Sequence, residues 1–284
     1  MNKSHRNLLF FLFIFLTLAC ALPGLSAPSE FPTPDPNSIS TIVAGTANAA
    51  AMQTAQANPS TNTPLPTSTE TPAPTSTATP TPRISAEGTS LVKQSDGSYI
   101  FTDLQGGYSV IVPSGWLVVR VNEQEYLNAW VLPEASDPKI QHFLTQFQNE
   151  DPKTYRLVGA DIIPEHLQEN FLTNFLISWN RNSTLTLQQE IDNAKTDLPR
   201  TVMQGAKISY ADIGLTSTQI PMGIMELNWN TKDISGNTVK IYQKIVAFKV
   251  KSGTLAFTFS TTPDLKDAIL NEFDLMTDQI KMLP

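Results

Sequence analysis

Three hydrophobic regimes follow one another along the chain. Leu8 to Leu16 is an unbroken apolar run, extended by Thr17, Leu18 and Ala19 and preceded by Lys3 and Arg6. From Ala21 to about Glu87 large apolar side chains nearly vanish, with Phe31 the only aromatic. Beyond residue 88 apolar and polar positions alternate in short runs bounded by turn residues, the period of strands with one buried face. The chain therefore divides into a leader (1–19), a tether (20–87) and a folded domain (88–284). A region of that length suits one domain with a sizeable core.

Inside the domain the pattern predicts strands at Ser98–Asp103 and Tyr108–Val112, joined at Gly106-Gly107. After the turn Pro113-Ser114-Gly115, Trp116–Val121 reads as extended chain and Glu123–Leu132 as a helix. Pro138–Gln148 carries Ile140, Phe143, Leu144 and Phe147 at helical spacing. Tyr155–Ile163 and Phe171–Asn180 read as strands. Thr186 and Gln189 stand at capping-box spacing and open a helix that runs to Leu198. Further strands are expected near Ala206–Ile213, Gly223–Thr231, Thr238–Val250 and Thr254–Thr261. The connections 233–237 and 251–253 are short enough for hairpins, so these last strands should be antiparallel neighbours. Thr262 and Pro263 look like the cap and first residue of a helix striped by Leu265, Ile269, Phe273, Met276 and Ile280. The expected class is α+β, an α/β/α sandwich on an antiparallel sheet.

Composition sharpens the division. Of 21 prolines, 12 lie between Pro23 and Pro82, so the tether cannot bury enough apolar surface to offset the entropy of ordering it. Repeated prolines there favour extended polyproline-II segments of about 3.1 Å per residue, a semi-rigid and disordered spacer. Ser38–Ala57 is alanine-rich, but Gly45 interrupts it and a frayed helix is the reading. The formal charge of −7 argues against nucleic acid as a partner. A single cysteine excludes an intrachain disulfide framework and any multi-cysteine metal site.

That cysteine sits at the end of the leader, whose apolar run falls short of the roughly 20 residues needed to span a membrane. Its length and flanks are those of a secretory signal. Leu16-Thr17-Leu18-Ala19-Cys20 resembles the lipobox of bacterial lipoproteins, although Thr17 stands where that family prefers leucine. The resemblance implies cleavage between Ala19 and Cys20, acylation of Cys20, and an extracytoplasmic chain held to membrane lipid. An ordinary signal cleaved after Ala27 is the alternative.

A second resemblance covers most of 98–284. Gly107-Tyr108-Ser109-Val110-Ile111-Val112-Pro113-Ser114-Gly115-Trp116 is similar to the opening hairpin of the PsbP/Mog1-like superfamily. Tyr242-Gln243-Lys244 and Leu255-Ala256-Phe257-Thr258-Phe259-Ser260 fit its closing hairpin. Members of that superfamily work by binding proteins, so the resemblance implies a fold and a non-catalytic style of function.

Catalytic signals are sparse. No nucleophile elbow, phosphate loop or dinucleotide fingerprint occurs, and no catalytic, cofactor-binding or metal residue is assigned. Glu165-His166 with Glu169 is the one cluster of metal-like composition and reads as a solvated loop or helix start. Trp130, Trp179 and Trp229 could line a ligand cleft or fill the core. The leading expectation is a surface lipoprotein that binds an unidentified envelope or extracellular protein. A small-molecule or lipid carrier with an aromatic-lined cleft is the alternative, and the empty motif search argues against an enzyme.

Overall fold

The computed structural model describes residues 84–284, so the leader, Cys20 and nearly all of the tether lie outside the described residues. Among the described residues eleven strands form two sheets, and every pairing between them is antiparallel. The smaller sheet has the order β1-β2-β3-β11, built from Thr89–Lys93, Tyr99–Asp103, Tyr108–Val112 and Lys281–Met282. The larger has the order β4-β5-β6-β10-β9-β8-β7. Its strands are β4 (Trp116–Val119), β5 (Tyr155–Asp161), β6 (Asn174–Asn180), β7 (Lys207–Leu215), β8 (Pro221–Lys232), β9 (Thr238–Lys249) and β10 (Thr254–Thr261). Helices α1 (Gln124–Ala129), α2 (Pro138–Gln146), α3 (Leu187–Asp197) and α4 (Lys266–Asp278) complete it. The class is α+β on antiparallel sheets.

The layers follow from strand alternation. Leu255, Phe257 and Phe259 of β10 share one face with Phe175, Ile177 and Trp179 of β6. That face packs against Val110 and Val112 of the small sheet and against Ile269, Phe273 and Met276 of α4. On the opposite face the cover is split. Helices α1 and α2 sit over Leu117, Val158 and Leu176, while α3 sits over Met225, Leu227 and Ile245. Between these two clusters the central strands present small or polar side chains on that face: Asn174, Ser178, Thr258, Ser260 and Gln243, all buried.

The sheets are tied together by one buried ion pair. Arg156 on β5 donates from Nε to Asp103 Oδ2 of β2 at 2.6 Å and from Nη2 to Oδ1 at 3.0 Å, with both side chains fully buried. Two further N–H groups reach the carbonyls of Pro152 and Glu87, both at 2.8 Å. Four of the five N–H groups of the guanidinium thus meet an acceptor, and its central carbon lies 5.3 Å from the centre of the Trp179 ring, so the buried charge is well paired.

Several sequence readings need correction. The helix expected over Glu123–Leu132 closes at Ala129, because Leu132 turns extended before Pro133. The last helix begins at Lys266, and Thr262 does not cap it. Thr261 still pairs with Tyr242 and Pro263–Leu265 forms a turn, so Thr262 lies too far from the first helical N–H groups. Strands β1 and β11 escaped the sequence reading, as did the division into two sheets. The capping box at Thr186 and Gln189 is present as expected.

Candidate functional site

Helix α1 belongs to the segment inserted between β4 and β5. Asn122 turns the chain at a positive φ of 61°, which asparagine tolerates, and α1 follows at once. Two contacts pin it from below. Arg120 forms an ion pair with Glu125 and donates to the carbonyl of Thr89 at 2.7 Å; the hydroxyl of Tyr126 donates to the carbonyl of Leu144. Tyr126 and Ala129 therefore face inward, and Leu127, Trp130 and Val131, at spacing i, i+3 and i+4, face out. Leu127, Trp130, Val131 and Leu132 are 59%, 38%, 83% and 40% exposed, a contiguous apolar ridge. Glu134 stands beside it, and its Oε2 is buried without a hydrogen-bond partner.

Helix α2 borders a cleft. Asp137 caps it by accepting from the N–H of Lys139 at 2.7 Å, and Ile140, Phe143 and Leu144 bury against β5. The other flank, with His142 and Gln146, lines a narrow gap of about 20 Å³ shared with Phe171, Asn174 and the β8–β9 hairpin at Asp233 and Ile234. Lys139 directs its ammonium to the carbonyls of Leu167 and Glu169. Asp233 accepts from the N–H groups of Ser235 and Asn237 at 2.9 and 2.8 Å. Both charges are thus held within the chain.

Burial pushes the imidazole of His142 below its ordinary pKa, and its Nε2 lies 3.1 Å from the amide nitrogen of Gln146, from which it accepts. The unfolded chain therefore takes up this proton first, at about pH 6.5. The stability that His142 contributes is present above that value and is lost as the pH falls through its folded pKa. His142→Gln is expected to flatten the fall of the melting temperature on acidification below about pH 6.5. Parallel melts of both proteins at stepped pH check this, and an identical slope in the two would refute it.

A second concavity, of about 400 Å³, lies on the other face of the larger sheet, between α4 and β8–β9. Its floor is Met222, Ile224 and Val246, and Lys244 pairs with Asp274 at 2.6 Å along its wall. Burial, with Glu226 and Asp274 close by, pushes the phenol of Tyr242 upward.

The three tryptophans raised by the sequence do not meet. Trp179 is buried on the small-sheet face, where Arg156 and Arg181 lie over its ring at 5.3 and 4.7 Å and its Nε1 donates to the carbonyl of Ser252. Trp229 is buried under α3 on the opposite face, and Trp130 stands on the exposed ridge. They form no common cleft, because adjacent elements expose or bury an indole according to what covers it. His166 does not pair with Glu169. Its Nδ1 lies 2.6 Å from Asp161 Oδ2, at the end of β5. Burial raises the Asp161 carboxyl, opposed by the N–H of Ile163 and by His166. The pair clamps the turn after β5. Among the described residues no group of three His, Cys, Asp or Glu side chains is placed to hold a metal ion. No described helix is long and apolar enough to cross a membrane.

The ridge went unread in the sequence, although Leu127, Trp130, Val131 and Leu132 carried a signal. Apolar residues on the face opposite the inward Tyr126 and Ala129 give this short helix two apolar sides, and one must be left uncovered.

No family model matches the sequence, and no curated protein matches it. Among solved structures, the cyanobacterial PsbP (CyanoP) from Synechocystis sp. PCC 6803 is 13% identical with a TM-score of 0.44, covering 66% of this chain and 94% of its own. LpqN, involved in cell envelope biogenesis of Mycobacterium tuberculosis, is 10% identical with a TM-score of 0.37 over 62% and 83%. PA94 of Pseudomonas aeruginosa, a protein of unknown function, is 11% identical with a TM-score of 0.34 over 40% and 75%. Likeness at these values carries no functional information.

Proposed function

We propose that this chain is a non-catalytic binding module, held to the outside of a cell membrane by acylated Cys20, that docks an envelope or extracellular protein through the α1 ridge. The observation that carries the reading is the exposure of Leu127, Trp130, Val131 and Leu132 side by side. Contiguous apolar surface of this kind marks interaction sites, and tryptophan is enriched among residues that dominate binding. Glu123, Glu134 and Asp137 flank the ridge, and this acidic rim suits basic residues on the partner. The same acids oppose docking on an anionic lipid surface.

The test places a photoreactive residue at Leu127 of the full chain in cells and reads adducts by mass spectrometry. One protein adduct of defined mass is expected, weakened about tenfold or more by Trp130→Ala and by Glu134→Lys. Capture of lipid alone, or of no protein, would sink the docking reading. In the same cells Cys20→Ser should release the chain from membranes, and unchanged fractionation would contradict the anchor independently.

A further inference from the structure

The concavity beside α4 has room for a small molecule, since its volume of about 400 Å³ falls within the usual range of about 300–1,000 Å³. It arises because α4 packs over β10 and β3, while the twisted sheet runs on past it through β9 and β8. Ile224 and Val246 stand opposite one another in the register, and with Met222 and Leu275 they give an aliphatic floor. Met222 and Ile224 are only partly buried, and Leu275 is 50% exposed. The β7–β8 turn closes one end, because Ser217 donates its N–H and its hydroxyl to Asp278, both at 2.6 Å.

Charge distinguishes this floor from an ordinary apolar patch. Among the described residues that line it, Lys244 is the one cation, against the acids Asp274 and Asp278. Its ammonium is already held, 2.6 Å from Asp274 Oδ1 and 3.9 Å from Glu226 Oε1. Asp274 and Asp278 stand four residues apart at the carboxyl end of α4, where like charges repel and the helix dipole is negative. No basic residue stands in that last turn. The two bonds from Ser217 hold the Asp278 carboxyl below its ordinary pKa, so it stays ionised at neutral pH. The lining therefore carries a net negative charge beside apolar surface that water still reaches.

We propose that this concavity binds an aliphatic ammonium ligand, with its chain on Met222, Ile224 and Val246 and its head at Asp274 and Asp278. An ammonium has three donors and no acceptor, which suits a pair of carboxylates. Asp274 gives Oδ1 to Lys244, and its side chain is 45% exposed, so its second oxygen remains within reach. Methylenes buried on the floor add affinity for any chain, while the carboxylates select the head: they repel an anion and gain little from a neutral group. The concavity lies on the face of the larger sheet away from α1 and α2, so the inference does not rest on docking at the ridge.

The experiment titrates octylammonium, octanol and octanoate separately into the full chain carrying Cys20→Ser, with Ile, Leu, Val and Met methyl groups isotope-labelled for NMR. The three probes share a chain length and differ in the head alone. Octylammonium should shift the methyls of Met222, Ile224, Val246 and Leu275. Octanol should bind about fivefold more weakly, and octanoate more weakly still. Asp278→Asn, which keeps an acceptor for Ser217, should weaken octylammonium about fivefold and leave octanol unchanged. Met222→Ala should weaken octylammonium and octanol alike. Octanol or octanoate binding as tightly as octylammonium overturns the proposal, as does an affinity for octylammonium that Asp278→Asn leaves unaltered. Silence from all three probes, or shifts confined to Leu127, Val131 and Leu132 on the ridge, would overturn it equally.

Discussion

Replacing Arg156 with alanine is expected to cost the domain about 3–5 kcal/mol, the penalty of stranding one partner of a fully buried ion pair. Asp103 would keep a carboxylate with no access to water, held by the N–H of Gly106 at 2.8 Å and with the Tyr108 phenol beside it. The carbonyls of Glu87 and Pro152 would lose their donors as well. Because the pair joins β5 of the larger sheet to β2 of the smaller, the loss should loosen the packing of one sheet on the other. The measurement is urea unfolding, read as a fall in midpoint against an unchanged slope. Removing both charges together, with Arg156→Met and Asp103→Leu, should recover most of the loss, since apolar replacements for a buried pair are often neutral. A single variant as stable as the parent would mean that water reaches Asp103.

Gly253→Ala should have the second largest effect. This residue turns β9 into β10 at a φ of +84°, a region that costs an alanine about 1–2 kcal/mol by itself. The added methyl would also lie 1.8 Å from the carbonyl oxygen of Asn180 and 2.7 Å from Cα of Arg181. Those are backbone atoms at the end of β6 and cannot rotate away, so either the hairpin or the β6–β10 pairing must shift. A total above about 3 kcal/mol is expected from strain and overpacking together. Gly236, also at a positive φ of +83° in the β8–β9 hairpin, has open space where its methyl would go. Gly236→Ala is therefore the internal control, and it should show the backbone penalty alone. Equal melting temperatures for the two variants would show that the clash is relieved without loss.

Both positions show which parts of the molecule could be read in advance. Lys251-Ser252-Gly253 is visible in the sequence as a turn, because its residues set the local backbone. That Asn180 crowds it could not be seen, since the neighbour lies 73 positions away in the chain, as the bond from Trp179 Nε1 to Ser252 also does. The same holds in the middle of the larger sheet. Asn174, Ser260 and Gln243 look in the sequence like ordinary polar residues within strands, and the register alone brings them into one row. The α4 stripe of Ile269, Phe273 and Met276 is the opposite case, legible from spacing and buried as expected, with Ile280 buried just beyond the helix end. Its start was misplaced because Thr262 carries a cap's chemistry, while the strand before it runs on to Thr261.

By itself the sequence determined the α+β class and most strands and helices of the described residues, and it raises the expectation of a leader, a tether and an anchor at Cys20. Each of these follows from residues near one another: apolar period, turn chemistry, proline density and the flanks of one cysteine. Only the tertiary structure decided which sheet each strand joins, that Arg156 meets Asp103, and that Trp130 is exposed while Trp179 and Trp229 are buried. An indole has the same intrinsic preference at all three places. Whether it is covered depends on which distant strand or helix packs over it, and that is set by pairing across the whole chain.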